Sequence, residues 1–211
     1  MSGPDGLPTT HERMSGKPWD ASYGDGPAPW DIGEPQPAVA RLVLQHTFVA
    51  PVLDAGCGTG ENALCIASEG SSVLGVDVAK TALAMAREKA EQRGIEAEFA
   101  LADALHLERL NRRFRTVLDC GLFHSFDADE RVRYVSSLAS VVDPGGTLHL
   151  LCFSDRGSDL GPHPIGLEAL RAPFDATGGW SVVSVEPERL QTRFHDQDGA
   201  PAWLARVDRK G

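Results

Sequence analysis

Residues 51–61 read Pro-Val-Leu-Asp-Ala-Gly-Cys-Gly-Thr-Gly-Glu, and no other stretch narrows the fold as much. A short apolar run, Val52-Leu53, meets Asp54 and then glycines at alternate positions, Gly56, Gly58 and Gly60, ahead of an apolar-rich segment at 62–67. Strand, glycine turn and helix in that order are the context of a nucleotide-type loop. Glycine has no Cβ, so the backbone turns sharply and a ligand can approach closely. The spacing is GxGxG, not the GxGxxG that seats a pyrophosphate on a helix N-terminus. No Lys-Ser/Thr pair follows, so this is not a phosphate-cradling P-loop. Asp54 and Glu61 bracket the turn, which suits a ligand carrying positive charge better than a polyphosphate.

The rest of the chain alternates strand and helix. A helical apolar pattern covers 37–48, with Pro37 near its start where proline is tolerated. Strand 51–55 leads to helix 62–69, ended by Gly70, and strand 72–78 to the alanine-rich helix 79–93, stopped by Gly94. Strand 96–102, a connector at 104–111 and strand 114–122 follow. Helix 127–142 has Asp127 or Asp129 as its cap and Pro144-Gly145-Gly146 as its terminator. Strand 147–153 is apolar on both faces and therefore central. A last helix at 165–174 precedes strands 180–185 and 202–208, joined by a polar segment containing Asp196-Gln197-Asp198-Gly199. Five strands alternating with helices predict a parallel doubly wound sheet, and the helix-free closing pair predicts an antiparallel edge. A ligand then belongs at the carboxyl ends of the strands, beside the first.

Composition excludes several classes. The 211 residues are 42% hydrophobic, enough for one domain with a sizeable core. The net charge of −10 disfavours a nucleic-acid partner, which calls for a basic stripe. The four cysteines, at 57, 65, 120 and 152, form no CxxC pair and read as reduced cytoplasmic thiols. No apolar run reaches the ~18 residues of a membrane span, and no signal peptide opens the chain. No His/Cys/carboxylate cluster has metal-ligand spacing, so no metal is expected.

The stretch VLDAGCGTGE resembles the first motif of class I S-adenosylmethionine (SAM)-dependent methyltransferases. Further features fall in the family's order: Asp77 ends SSVLGVD about twenty residues on, Asp103 ends AEFALAD, and LDCGLFHSF closes the fourth strand. PWDIGEPQP, at 29–37, resembles the N-terminal motif of small-molecule methyltransferases of the thiopurine and heterocyclic-toxin type, where it closes over the methionine end of SAM and the acceptor. The resemblance implies a Rossmann-like seven-stranded mixed sheet of order 3-2-1-4-5-7-6, with helices on both faces. It implies one domain over 19–211, with a lid at 19–37, and the Gly-, Pro-, Asp- and Ser-rich start of the chain predicts a mobile tail at 1–18. It also implies SAM as cofactor and S-adenosylhomocysteine as product.

Residue roles follow from the resemblance. Asp54 and the amides of the run Gly56 to Gly60, with Gly58 at its centre, would face the methionine portion. Asp77 would accept from both ribose hydroxyls, or cap the next helix. Val78 would pack on the adenine, and Asp103 with the Ala104 backbone would accept from its amine, unless Asp103 is a solvated loop acid. Cys120 and Gly121 would line the sulfonium end. Asp119 would join them, or be a buried strand-end acid held by backbone amides. Trp30 would close over cofactor and acceptor, while Trp19 covers the sheet edge. Phe123, His124 and Phe126 would hold the acceptor, with His124 either its general base or a loop histidine packed against the lid. His195 falls in the late hairpin and is expected to be exposed. The implied reaction is methyl transfer to a hydroxyl of a small aromatic or heterocyclic acceptor, of phenol or hydroxyquinolone type, in detoxification or secondary metabolism. Transfer to sulfur or to a ring nitrogen is the chemical alternative. A nicotinamide oxidoreductase would need room for a pyrophosphate, which Asp54 beside the loop argues against, and a macromolecule methyltransferase would carry a basic face; a non-catalytic SAM binder would show SAM affinity but no turnover with any acceptor.

Overall fold

Val52 and Leu53 point to opposite sides of the sheet and are fully buried on both, which places their strand at its centre. In the computed structural model, which describes residues 12–13, 16–24, 26–158, 161–195 and 198–211, that strand is β1 (Val52–Ala55). It pairs in parallel with β2 (Val73–Asp77) on one side and β4 (Phe114–Cys120) on the other. β3 (Glu98–Leu101) lies outside β2, and β5 (Val142–Phe153) pairs in parallel with β4. β7 (Ala200–Arg209) runs antiparallel to β5, and β6 (Trp180–Leu190) closes the edge antiparallel to β7. The order is β3-β2-β1-β4-β5-β7-β6, as the resemblance implied. The direction of winding reverses between β1 and β4, which opens a crevice at their carboxyl ends.

Helices cover both faces. α1 (Pro37–Leu44), α2 (Glu61–Ser68) and α3 (Lys80–Arg93) form one layer. α4 (Ala128–Val141) and α5 (Leu167–Thr177) form the other, beside a 3-10 segment at Ala104–Leu110. The alanine face of α3 (Ala82, Ala86, Ala90) lets its backbone come close to β2 and β3. A Cβ on Gly75 would meet Phe99 at 2.8 Å and the Cys57 sulfur at 2.9 Å, so this strand glycine makes room for close packing. Asp127 caps α4 in a reciprocal box with Glu130.

Some boundaries move. α4 stops at Val141, before the Pro-Gly-Gly expected to end it. Val142 is already paired with Phe114, while Arg113 holds the carbonyls of Ser140 and Val142. The Pro-Gly-Gly instead lies within β5, where the register with β4 shifts. α5 extends to Thr177 through Pro173, and Ile165 bridges to Ser154. The closing hairpin is longer than its pattern suggested. Glu186, Pro187 and Glu188 are strand residues, tolerated because β6 is an edge with one wet face. Of the stretch expected to be a tail, residues 1–11, 14 and 15 lie outside those described. Arg13 contacts Asp127 and Glu130, and Glu12 accepts the Trp19 amide.

Candidate functional site

The GxGxG turn crosses from β1 to α2 with positive φ at all three glycines: 75° at Gly56, 53° at Gly58 and 85° at Gly60. The amides of all three glycines and of Cys57 are bonded within the fold. Gly56 N and Cys57 N both reach Val76 O, Gly58 N reaches Asp77 Oδ2 and Gly60 N reaches Cys57 O. The expectation that amides of the three glycines face a ligand is therefore corrected. This turn is no anion cradle. Gly56 and Gly58 still line the cavity, as predicted, with Cys57 and Thr59; Gly60 does not, because a Cβ there would meet Ala86 at 2.8 Å in the core.

Above the turn lies a cavity of about 400 Å³ at the carboxyl ends of β1, β2 and β4. At one end stand Asp77, Val78, Ala102, Asp103 and Ala104. Asp77 holds its surroundings: Oδ1 accepts Ala79 N and Oδ2 accepts Gly58 N, each at 2.8 Å. It is not the cap of α3, whose N-cap is Ala79. Burial raises its pKa, against the amides of Ala79, Gly58 and Val78. The hydrogen bonds from Ala79 N and Gly58 N take one lone-pair site on each oxygen and leave one on each. Asp103 caps the 3-10 segment through Leu105 N at 2.9 Å. Cys120, Gly121 and Leu122 line the middle, and burial pushes the Cys120 thiol well up.

Two acids expected at the ligand are behind it. Asp54 is 1% exposed, and its Oδ2 has no hydrogen-bond partner among the described residues. Burial, with Asp119 and Asp77 nearby, pushes its pKa up to about 8. Asp119 is the buried strand-end acid: Oδ1 accepts Leu122 N at 3.0 Å and Phe123 N at 3.2 Å. Burial lifts it to about 7. Neither lines the cavity. Glu61 does, but Arg93 and Lys89 hold it at 2.7 and 2.8 Å, so its charge is already met. Against the cost of burial, these cations keep its pKa below the usual value.

The far end is walled by rings. Phe123 is not among them. The 3-10 turn Phe123–Ser125 sends its ring into the core, stacked on Phe174, while His124 and Phe126 turn to the cavity. Phe153, at the end of β5, takes the place expected of Phe123, 4.5 Å from the His124 ring. His124 Nδ1 accepts Phe153 N–H at 3.4 Å, and a neutral ring that accepts there carries its proton on Nε2. His195, expected to be exposed, is half-buried and lines the same wall, 6.3 Å from Phe153, with Nδ1 2.6 Å from Thr192 Oγ1. Being strand-end or hairpin-turn residues was the signal that could have found Phe153 and His195.

The roof is formed by residues of 19–24 and 26–37. Trp30 Nε1 donates to the Tyr23 hydroxyl at 2.9 Å. Trp19 stands edge-on to Trp30 at 5.4 Å and also lines the cavity, so it does more than cover the sheet. Thr59 Oγ1 donates to Asp31 Oδ2 at 3.0 Å and accepts from Lys89 Nζ at 2.7 Å, which latches roof to glycine turn. Gln36 joins roof to hairpin through a reciprocal pair with the Gln191 backbone, both at 2.9 Å. Among the described residues no group of three or more His, Cys, Asp or Glu is placed to hold a metal ion, and no helix is long and apolar enough to cross a membrane.

Comparison with known proteins agrees with this geometry. A family described as a methyltransferase domain matches residues 52–146. A 2-heptyl-1-hydroxyquinolin-4(1H)-one methyltransferase of Mycobacteroides abscessus is 36% identical over 182 residues, 84% of this chain and 79% of the relative. A probable thiol methyltransferase of Arabidopsis thaliana is 30% identical over 173 residues, 81% of this chain and 76% of the relative. The solved structure behind the conversion of a disulfide bond into a thioacetal group during echinomycin biosynthesis superposes with a TM-score of 0.78 at 37% identity. It covers 87% of this chain and 86% of its own.

Proposed function

Since the chain belongs to the SAM-dependent methyltransferases of small molecules, we propose that it methylates a hydroxyl of a flat aromatic or heterocyclic acceptor, of phenol or hydroxyquinolone type. The observation that carries this reading is the ring-walled far end of the cavity, where Phe126, Phe153, His124 and His195 converge. The 36% identity to a hydroxyquinolone methyltransferase supports it.

The residues fit the cofactor. The glycine turn gives the amides of Gly56, Cys57, Gly58 and Gly60 to the fold, which suits a cationic ligand better than an anionic one. Asp77 keeps lone pairs for two ribose hydroxyls. Val78 packs on the adenine face, and Asp103 with Ala104 accepts from its amine. When bound, SAM supplies an electrophilic methyl on a sulfonium. The protein's part is alignment and exclusion of water. Trp30 and Asp31 close the roof, and Cys120 and Gly121 shape the space where the methyl points. His124 donates from Nε2 to the acceptor oxygen, because serving as base there would require the other tautomer and loss of the Phe153 N–H bond.

Transfer to sulfur is the second reading, favoured by the 30% identity to a thiol methyltransferase. Label from methyl-labelled SAM, offered phenols, hydroxyquinolines, heterocyclic amines and thiols in parallel, separates the two. The expected product is an O-methyl ether of a hydroxyquinoline or phenol. Label found only in thioethers or N-methyl products would overturn the proposal.

A further inference from the structure

We infer that Phe194, in the turn between β6 and β7, is a specificity-determining residue that holds an apolar substituent of the acceptor where it leaves the cavity. The inference rests on the aromatic-acceptor reading above and adds to it what the acceptor carries.

Phe194 is 79% exposed and still lines the cavity. The other large hydrophobic residues exposed among those described (Leu44, Val49, Leu101, Val132 and Val183) do not. An exposed phenylalanine forgoes the burial that ordinarily rewards so large an apolar side chain. Its exposure does not come from a loose loop. Gln36, itself 5% exposed, bonds the Gln191 backbone in both directions. Arg193 N donates to Pro29 O at 2.8 Å, and the Arg193 side chain donates to Asp31 O. Phe194 N donates to Thr192 Oγ1 at 3.2 Å. The turn is thus fastened to the roof through residues 191 and 193, just ahead of the ring it presents.

The path to Phe194 is continuous. From His124 and Phe126 it passes Phe153, then His195, whose ring is 6.3 Å from Phe153, and reaches Phe194 at the next residue. Buried Leu190, also on the cavity, backs the same side. A flat ring seated at the inner end would direct a substituent outward along this wall. Only an apolar chain would gain from ending on Phe194.

The test is calorimetric titration of 2-alkyl-4-hydroxyquinolines with chains of one, three, five and seven carbons into the protein saturated with S-adenosylhomocysteine. Full burial of a methylene is worth about fourfold in affinity, and a wall open to solvent on one side should give about half that logarithmic slope, roughly twofold per carbon. Phe194→Ser should flatten the slope, so the seven-carbon member loses up to roughly sixtyfold relative to the one-carbon member. Leu44→Ser, an exposed apolar residue away from the cavity, should keep the wild-type slope. An unchanged slope in Phe194→Ser, a wild-type affinity indifferent to chain length, or no binding by any member would each overturn the inference. Turnover of the same series separates it from the reading beneath. Binding that depends on chain length through Phe194, without O-methylation, supports the role of Phe194 and refutes hydroxyl transfer. O-methylation indifferent to chain length does the reverse.

Discussion

Asp77→Asn is the sharpest test of how the cofactor is held. The carboxylate gives one oxygen to Ala79 N and the other to Gly58 N, each at 2.8 Å, and keeps one acceptor position on each oxygen. Asparagine replaces one oxygen with an NH₂ that has no lone pair. Whichever way the amide turns, one backbone N–H then faces a donor and one ribose hydroxyl loses its acceptor. The remaining oxygen also loses its charge, and hydrogen bonds to charged groups contribute about 1.5–3 kcal/mol each. We expect SAM affinity to fall by roughly 2 kcal/mol or more, about thirtyfold. Stability should fall by less. Burial raises the Asp77 pKa, so the free protein bears a cost for its charge that the neutral amide removes. Calorimetric titration with SAM and thermal melting without ligand measure the two effects. Unchanged affinity in a folded variant would refute the reasoning. Equal losses in both would make Asp77 a brace for the glycine turn and nothing more.

Three other outcomes are expected. Amides around Trp30 to Gly33 should gain hydrogen-exchange protection when S-adenosylhomocysteine is added, because that segment roofs the cavity; equal exchange with and without ligand would make the two tryptophans purely structural. His124→Gln should lower turnover by about tenfold evenly across phenols of graded acidity, with SAM affinity unchanged; a loss that grows toward ~10²–10⁴ for the weakest acids would instead identify a general base. The pH dependence of stability should carry the mark of Asp54. Its folded pKa of about 8 lies above the ordinary 3.8, so its neutral form is the one that favours folding. That contribution is complete below the unfolded value and is lost as pH rises toward about 8, by at most about 1.4 kcal/mol per pH unit. Asp54→Asn should therefore lose less stability than wild type between pH 5 and 8. Parallel melting curves would count against it.

The sequence by itself determined the strand-turn-helix order, the place of the glycine turn, the acids that end β2 and β3, and the cap of α4. These are local properties. Periodicity, turn chemistry and the residue after a strand are written within a few neighbours, and the topology then puts every strand end in the same crevice. Its resemblance to a known family supplied the sheet order. The tertiary structure decided which of the nearby residues face the ligand. Gly60 sits between Thr59 and Glu61, which line the cavity, but turns behind the glycine loop; Asp119 does the same beside Cys120, and Asp54, two residues before Gly56, is buried behind the turn. Phe123 and His124 are adjacent in sequence, yet a 3-10 turn sends one to the core and the other to the cavity. The acceptor wall was the least legible part. It joins the end of β5 to a hairpin turn whose position is set by Gln36, 155 residues away from Gln191. A contact across that separation exists only once the sheet has brought both segments to one edge, so no local pattern can encode it.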